Sequence, residues 1–189
     1  MAYNFKNALV RTPSKSISNA ISSIGEKPNF EKVISEHNEY KMHLERSDIN
    51  VITLDSLEDY PDSVFVEDPA ITFNNFCIIL RPGAPSRFGE HNVFRNEAKN
   101  IFEDVFEVDN GKIEGGDILR INDRFIIGLS NRTNKEGANE LEKILSHLGA
   151  KVTITNTPNG VLHFKSDCSL LDDETILQTK KMSLTGFFE

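Results

Sequence analysis

The sequence has few cysteines, no long apolar run and no excess of basic residues, and each absence excludes a class of protein. Its two cysteines, Cys77 and Cys168, form neither a CxxC pair nor a disulfide framework, so we expect both to be reduced core thiols. No segment approaches the roughly 18 apolar residues of a membrane-spanning helix. Residues 1–7 also lack the apolar core of a signal peptide. These features predict a cytoplasmic protein without membrane association.

The charge balance of the chain is acidic. A formal net charge of -8 over 189 residues disfavours nucleic acid as a partner, because nucleic-acid-binding proteins present basic surfaces to phosphate. The same balance suits a cationic ligand, although acidic residues also serve solubility alone. With 38% hydrophobic and 26% charged residues, the composition is that of a globular protein, and we expect one domain over residues 1–189.

Hydrophobic periodicity predicts strand pairs separated by helices, which indicates an α/β architecture of similar supersecondary units. Thr133 and Glu136 form a possible capping box at the start of one helix, and Gly149 follows its end. Residues 182–189 show no clear closing element. The predicted helices are residues 29–46, 90–106 and 133–148, and the predicted strands are residues 8–10, 50–54, 64–73, 76–80, 118–129, 151–155, 161–171 and 175–177.

Adjacent acids interrupt a strongly apolar segment at residues 60–69. If the segment is a strand, alternation puts Asp62 and Asp68 on one face and Glu67 on the other. A buried carboxylate needs a cation or several hydrogen-bond donors, and a planar guanidinium ligand would supply both. The alternative from the local pattern is a strand end with solvated acids or an internal salt bridge.

Paired glycines separate Glu114 from Asp117 within residues 112–119. Glycine in a strand often allows a backbone or a ligand to approach closely. Alternation points the two acids to opposite faces, so one could serve a site while the other pairs elsewhere. A bulge or turn with exposed acids is the open alternative.

A single histidine stands out in residues 160–166, where Leu162 and Phe164 mark one face of a predicted strand and His163 projects from the other. A histidine held in this way is a candidate general acid and base near neutral pH. A lone histidine in a strand is otherwise a structural residue, and this alternative stays open.

Two loop arginines complete the set of residues that could carry chemistry. Arg87 ends the Pro- and Gly-containing segment 81–87, and Arg132 lies in the loop 128–133. A stiff loop suits an arginine that holds a ligand carboxylate through a forked pair of hydrogen bonds. The alternative is that both arginines are solvated, as loop arginines commonly are.

Five ordered segments together resemble the dimethylarginine dimethylaminohydrolase family, and the resemblance extends from about Ala8 to about Gln178. It implies an α/β propeller (pentein) of ββαβ units whose last unit is missing or incomplete here. It also implies hydrolysis of methylated arginine to citrulline and a methylamine by a Cys-His-Glu mechanism, without metal or other cofactor. The segments are Phe65-Val66-Glu67-Asp68, Arg81-Pro82-Gly83-Ala84-Pro85-Ser86-Arg87, Glu114-Gly115-Gly116-Asp117, Gly128-Leu129-Ser130-Asn131-Arg132-Thr133-Asn134 and Leu162-His163-Phe164-Lys165-Ser166.

The resemblance also implies individual roles for eight residues. His163 corresponds to the catalytic histidine and Glu114 to its acidic partner. Asp68 corresponds to the partner of the substrate guanidinium. Substrate contacts are implied for an apolar lid, three acids and two arginines at the α-carboxylate end, namely Ile21, Asp62, Glu67, Asp68, Arg87 and Arg132.

The nucleophilic cysteine of the family has no counterpart in this sequence, because in the family it lies near the C-terminus, beyond the position of Glu189. We therefore expect an inactive N-terminal portion of such an enzyme, with exposed strand edges that favour instability or aggregation. Two alternatives stay open. One is a related hydrolase that acts on arginine or citrulline, and the other is a short form that binds methylated arginine without turnover. A homodimer is also an open alternative.

Overall fold

The computed structural model describes residues 5–22, 25–73 and 75–188. They divide into two compact units. The major unit contains the described residues of 67–84 and 91–188, and the minor unit contains those of 5–66 and 85–90. Within the described ranges, no helix combines the length and the apolar character needed to cross a membrane.

The minor unit contains a βαβ motif. Strand β1 (Asn7–Arg11) is followed by helix α1 (Phe30–Arg46) and strand β2 (Asn50–Leu54), and the two strands pair in parallel. Helix α1 begins after Asn29, whose side chain accepts a hydrogen bond from the Lys32 amide at 2.8 Å. Such an N-cap satisfies one of the free amides of the first helical turn. The predicted strand–helix–strand pattern of this region is confirmed.

The major unit contains two consecutive ββαβ repeats. In the first, β3 (Ala70–Phe73) and β4 (Phe76–Ile79) form a hairpin, and α2 (Glu90–Ala98) leads to β5 (Asp104–Glu107), which pairs in parallel with β4. The first residue of α2 belongs to the minor unit. A parallel pair requires a crossover connection, which the helix supplies.

The second repeat has the same order. Its hairpin is β6 (Ile118–Ile121) with β7 (Arg124–Leu129), and α3 (Lys135–His147) crosses to β8 (Lys151–Asn156), which is parallel to β7. One stripe of α3 is buried in the core that this repeat shares with β4. That stripe is Ala138, Leu141 and Leu145. Its spacing of three and four residues is the helical periodicity that the sequence predicted.

A third hairpin closes the described chain. Strands β9 (Cys168–Leu170) and β10 (Ile176–Gln178) pair antiparallel, and a short helix α4 (Lys180–Ser183) follows. The rings of Phe187 and Phe188 pack against Phe164, with centroids 5.7 and 6.0 Å away. Met182 of α4 is buried in a core cluster, and Phe187 and Phe188 pack against it.

Two predicted elements are shorter than the sequence pattern indicated. Residues 64–69 form turns rather than the start of a strand, and only Ala70–Phe73 is extended. The helix predicted to residue 106 ends at Ala98, and Asp104–Glu107 instead forms β5. The ring of Phe106 packs edge-on against Phe76 of β4, at a centroid distance of 5.6 Å. Pairing with a neighbouring strand thus overrides the local helical spacing.

The strand predicted over residues 161–171 is mostly irregular. Phe164–Ser166 is a 3-10 turn, and only Cys168–Leu170 is a strand. Leu162 is 54% exposed whereas Phe164 is 1% exposed, so the predicted shared face is wrong. The Phe164 amide donates to the Asp117 carboxylate at 2.8 Å instead of joining a strand ladder. A side-chain acceptor therefore stabilises a turn at this point.

The caps of α3 follow the sequence at one end only. Asn134, rather than Thr133, is the N-cap, and its side chain accepts from the Gly137 amide at 2.9 Å. The predicted capping box was therefore wrong, because the residue three positions after Asn134 is Gly137, which has no side chain to bond back to the N-cap amide. Gly149 lies directly beyond the helix with a φ of 86°, a conformation that favours glycine and ends helices.

Candidate active site

Glu114 is the centre of a group of converging donors in the major unit. It is fully buried and immediately precedes the 3-10 turn Gly115–Asp117, which leads into β6. One carboxylate oxygen accepts the amides of Gly83 and Ala84 at 2.7 and 3.2 Å. The other lies 2.6 Å from Nε2 of His163. The alternative of exposed acids in this segment is thus wrong, because Glu114 and Asp117 are both buried. The hydrogen bonds that Glu114 makes are those that a buried carboxylate requires.

Arg132 also contacts Glu114. Its Nη1 lies 3.2 and 3.3 Å from the two carboxylate oxygens, and its side chain is 16% exposed. The Glu114 amide donates to Oγ1 of Thr133, the next residue of the same loop, at 3.2 Å. The structure therefore brings Arg132 to the acidic partner of the histidine, a contact that the sequence did not predict.

Asp68 lies close to Glu114 and His163. It is buried, and its Oδ1 accepts the Gly116 amide at 3.2 Å. One side-chain oxygen of Asp68, one of Glu114 and one ring nitrogen of His163 all lie within 4.8 Å of one another. Such a set could surround a small cation, but Glu114 already accepts several protein donors. The absence of a cofactor stays a prediction.

The pKa values of His163 and Glu114 are shifted in opposite directions. Burial opposes ionisation of both groups, yet the pKa of His163 is raised above its ordinary value by its hydrogen bond to Glu114 and by the charges of Asp68, Asp117 and Glu114. The pKa of Glu114 is lowered, since the hydrogen bond from His163 and the charge of Arg132 outweigh burial. Charge and hydrogen bonding therefore dominate over desolvation in this pair.

The paired glycines allow close approach, as the sequence predicted. A Cβ atom on Gly116 would lie 2.8 Å from Cγ of His163, so a larger residue would displace the imidazole. A Cβ atom on Gly115 would overlap the carbonyl oxygen of Glu67. Both positions require glycine because neighbouring groups fill the space that a side chain would need.

Glu67 lies outside the acid cluster. It is exposed, and its carboxylate pairs with Nζ of Lys165 at 2.6 Å. Strand alternation gives no reason for the difference between Glu67 and Asp68, because this segment is a turn. The two neighbouring acids nevertheless have separate partners, and the internal salt bridge that the sequence left open is present at Glu67.

The remaining predicted substrate contacts lie in the minor unit. Ile21 is half exposed, and its amide donates to Oδ1 of the buried Asp62 at 3.0 Å. Asp62 Oδ2 is buried and has no hydrogen-bond partner among the described residues. Arg87 is 2% exposed, so it is not a solvated loop arginine. Its Nε and Nη2 each donate to Glu90 at 2.6 Å, and Nη2 also donates to the Phe65 carbonyl at 3.0 Å. The fork of Arg87 therefore contacts an internal carboxylate.

Both cysteines are buried core thiols, as predicted. Burial raises the pKa of Cys77 to about 12 and that of Cys168 to about 11. Cys168 Sγ also donates to the Phe164 carbonyl at 3.4 Å. A thiol must ionise to act as a nucleophile, so neither cysteine is activated for attack.

Several groups that hold the cluster were not identified from the sequence. The amides of Gly83 and Ala84 belong to segment 81–87, in which the sequence indicated a role for Arg87 alone. Asp117 was recognised as an acid without an assigned partner, and Thr133 was assigned to a helix cap. Backbone donors leave no composition signal, because every residue except proline carries one.

Comparisons with known proteins agree with this geometry. The arginine deiminase family model matches residues 56–183. The dimethylarginine dimethylaminohydrolase of Pseudomonas aeruginosa is 36% identical over 177 residues, which cover 92% of this chain and 69% of the relative. The enzyme of the same name from Streptomyces coelicolor is 33% identical over 175 residues, or 91% of this chain and 67% of the relative.

Solved structures support the same assignment. A cysteine-to-serine variant of the Pseudomonas aeruginosa enzyme, complexed with citrulline, superposes with a TM-score of 0.93 at 33% identity, covering 98% of this chain and 74% of that chain. The N-terminal domain of a cyanobacterial arginine dihydrolase superposes with a TM-score of 0.79 at 16% identity, covering 93% and 66%, and shows similarity of fold alone. The predicted α/β, pentein-type fold is thus confirmed, and the chain belongs to the dimethylarginine dimethylaminohydrolase family, a group of hydrolases.

Proposed function

We propose that the Glu114–His163 pair performs the acid and base steps in hydrolysis of a methylated arginine. The observation that carries this proposal is the 2.6 Å hydrogen bond between His163 Nε2 and the fully buried carboxylate of Glu114. An acid so held orients the imidazole and stabilises its protonated form, which can donate a proton to a departing amine. The same imidazole, once neutral, can accept a proton from water in the step that releases citrulline.

Asp68 is the residue that we propose as partner of the substrate guanidinium. It is buried, and it acts electrostatically on His163, so a cation bound to it would lie beside the acid–base pair. A buried carboxylate strengthens attraction for a planar cation because the surroundings screen charge poorly. Arg132, which is partly exposed, is proposed to interact with the carboxylate end of the substrate as well as with Glu114.

The predicted contacts of Ile21, Asp62, Glu67 and Arg87 stay proposals from the family resemblance. Asp62 Oδ2 supports a binding role, because it is buried and has no hydrogen-bond partner among the described residues. The two hydrogen bonds from Arg87 to Glu90 favour a structural contribution from this arginine.

We further propose that residues 1–189 bind methylated arginine but do not release citrulline. Both thiols of the chain are buried and protonated at neutral pH, so the covalent step lacks an activated cysteine. A citrulline assay tests this point. Turnover that disappears in Cys168→Ser would contradict it, since Cys168 would then be the nucleophile rather than a core thiol.

Calorimetric titration with N,N-dimethylarginine tests the binding site. We expect the chain to bind, Asp68→Asn to lose roughly tenfold or more in affinity by removing a charge-assisted contact, and His163→Ala to bind nearly as well as the unmodified chain. Asp123→Asn, at an exposed acid that pairs with Lys151, is the matched control and should bind normally. Equal affinity of Asp68→Asn and Asp123→Asn would remove Asp68 from the site.

The same titration separates the alternative substrates. Tighter binding of arginine or citrulline than of dimethylarginine would favour a related hydrolase of the superfamily. The cytoplasmic location, the single domain and the homodimer stay predictions. Size-exclusion chromatography with light scattering would decide the oligomeric state.

A further inference from the structure

Asp117 is a fully buried acid that the proposed mechanism does not use. It accepts three hydrogen bonds from three different segments. Its Oδ1 accepts the Phe164 amide at 2.8 Å and the Thr157 hydroxyl at 3.4 Å, and its Oδ2 accepts the Ser130 hydroxyl at 2.6 Å. The two shorter bonds reach the two loops that carry His163 and Arg132.

The contact with Ser130 continues into the arginine loop. While its hydroxyl donates to Asp117, the Ser130 oxygen accepts the amides of Arg132 and Thr133 at 2.9 and 3.2 Å. Thr133 Oγ1 in turn accepts the amide of Glu114 at 3.2 Å. A continuous chain of hydrogen bonds therefore connects Asp117 with the backbone of Arg132 and of Glu114.

We infer that Asp117 is a positioning residue that fixes the histidine loop through the Phe164 amide and the arginine loop through Ser130. This inference rests on the proposed function for the catalytic meaning of His163, but its geometry does not depend on any ligand. Asp117 touches neither reacting group directly. It acts through the backbone amide of Phe164, the residue that follows His163. It also acts through the Ser130 hydroxyl, whose oxygen accepts the Arg132 amide.

The chemistry of the three donors explains why an acid is present. An amide N–H and two hydroxyls all donate to this side chain, and a carboxylate is the only common side chain that offers acceptors alone. Asparagine would turn an N–H group toward one of these donors and weaken that contact. The charge matters as well, because Asp117 acts with Glu114 and Asp68 to favour the protonated form of His163.

A purely architectural role is the competing explanation, because a buried acid with three donors could also serve only to stabilise the fold. The two explanations differ in where a substitution acts. A positioning residue affects Phe164, Arg132 and the proton affinity of His163 before it affects the distant core, whereas general destabilisation affects all amides alike.

Asp117→Asn in the full chain, studied by nuclear magnetic resonance, tests the inference. We expect the pKa of His163, identified by comparison with His163→Gln, to fall relative to the unmodified chain. The amides of Phe164 and Arg132 should exchange with solvent roughly fivefold faster or more, as after loss of a single hydrogen bond, whereas the Leu141 amide in α3 should be unchanged. An unchanged His163 pKa with unchanged exchange, or an equal rise at Leu141, would overturn the inference.

Two further variants test separately the contact of Asp117 with the Phe164 amide and its contact with Ser130. Ser130→Ala should speed exchange of the Arg132 amide while the Phe164 amide and the His163 pKa stay as they are. Thr157→Val, which removes only the longest contact, should change none of the three. If Asp117→Asn does not fold, Ser130→Ala decides. An equal increase in the exchange rates of the Phe164 and Arg132 amides in that variant would contradict the inference that Asp117 fixes the two loops through separate contacts.

Ligand binding adds a readout that distinguishes this inference from the proposed function. Asp117→Asn should weaken binding of N,N-dimethylarginine roughly fivefold, because both loops lose an anchor. If the unmodified chain binds no dimethylarginine, the proposed function fails, while amide exchange and the His163 pKa still decide the role of Asp117.

Discussion

Two buried glutamates of this protein hold their cations in different ways. In the minor unit, both oxygens of Glu90 accept hydrogen bonds from a single guanidinium, that of Arg87, at 2.6 Å each. In the major unit, Glu114 is shared among the imidazole of His163, Arg132 and backbone amides. The first arrangement pairs a carboxylate with a guanidinium through two hydrogen bonds. The second includes an imidazole, whose pKa is raised above its ordinary value because its hydrogen bond to Glu114 and nearby acidic charges outweigh burial.

The difference shows that burial and opposite charge do not by themselves identify an active site. Arg87 and Arg132 are both loop arginines in segments that resemble one family, and the sequence assigned them the same role. In the structure, Arg87 makes a two-pronged contact and is more deeply buried than Arg132. A bidentate pair fixes geometry, whereas Arg132 contacts Glu114 through a single nitrogen at 3.2 and 3.3 Å.

Removing Glu90 should have the largest effect on stability. We expect Glu90→Ala to lower the free energy of unfolding by about 3–5 kcal/mol, because it withdraws the carboxylate from a buried guanidinium. Urea unfolding followed by circular dichroism measures the loss. Glu36→Ala, at an exposed ion pair with Lys32, is the control and should cost about 0.5 kcal/mol. Equal losses would show that the Arg87–Glu90 pair does not stabilise the fold.

Neutralising Glu114 should have the next largest effect. Glu114→Gln removes the charge from the hydrogen bond to His163 and should cost about 1.5–3 kcal/mol of stability. It should also lower the pKa of His163, measured from imidazole resonances as the pH is varied. Glu90→Gln should leave that pKa unchanged if the two glutamates have separate roles. A similar change in both variants would break the distinction.

Replacing each arginine with lysine should have a smaller effect on the free energy of unfolding, and the effect should differ between Arg87 and Arg132. Arg87→Lys should cost about 2 kcal/mol, since an ammonium group cannot reproduce both bonds to Glu90. Arg132→Lys should cost less than about 1 kcal/mol, because one nitrogen makes its described contacts with Glu114. Thermal and urea unfolding measure both. Matching losses would indicate that Arg132 is as much a structural residue as Arg87.

The pH dependence of stability should show the smallest effect. The pKa of His163 is raised above 6.5, so its contribution is complete below about pH 6.5 and is lost as the pH rises through the raised value. The pKa of Glu114 is lowered from 4.5, so its contribution is complete above about pH 4.5 and is lost as the pH falls through the lowered value. Unfolding of the unmodified chain, compared with His163→Gln from about pH 4 to about pH 9, should show the alkaline loss only in the unmodified chain.

Local patterns predicted the elements whose own hydrophobic spacing is regular. The stripe of α3, the hairpin of β6 and β7 and the strand β2 follow from hydrophobic spacing, and Gly149 ends α3 as expected. The pattern failed where a distant partner decides. Asp104–Glu107 is a strand because β4 offers an edge, and residues 164–166 form a turn whose first amide is bound by Asp117.

The sequence by itself determined the fold class, the family resemblance, the buried state of both cysteines and the choice of His163 and Glu114 as partners. Only the tertiary structure decided which carboxylate each cation meets, because Glu114 receives donors from positions 83, 84, 132 and 163, which lie up to 49 residues away along the chain. Composition and spacing report how a segment buries its own side chains. They do not report which distant donor satisfies a buried acid, and that choice separates Glu114 from Glu90.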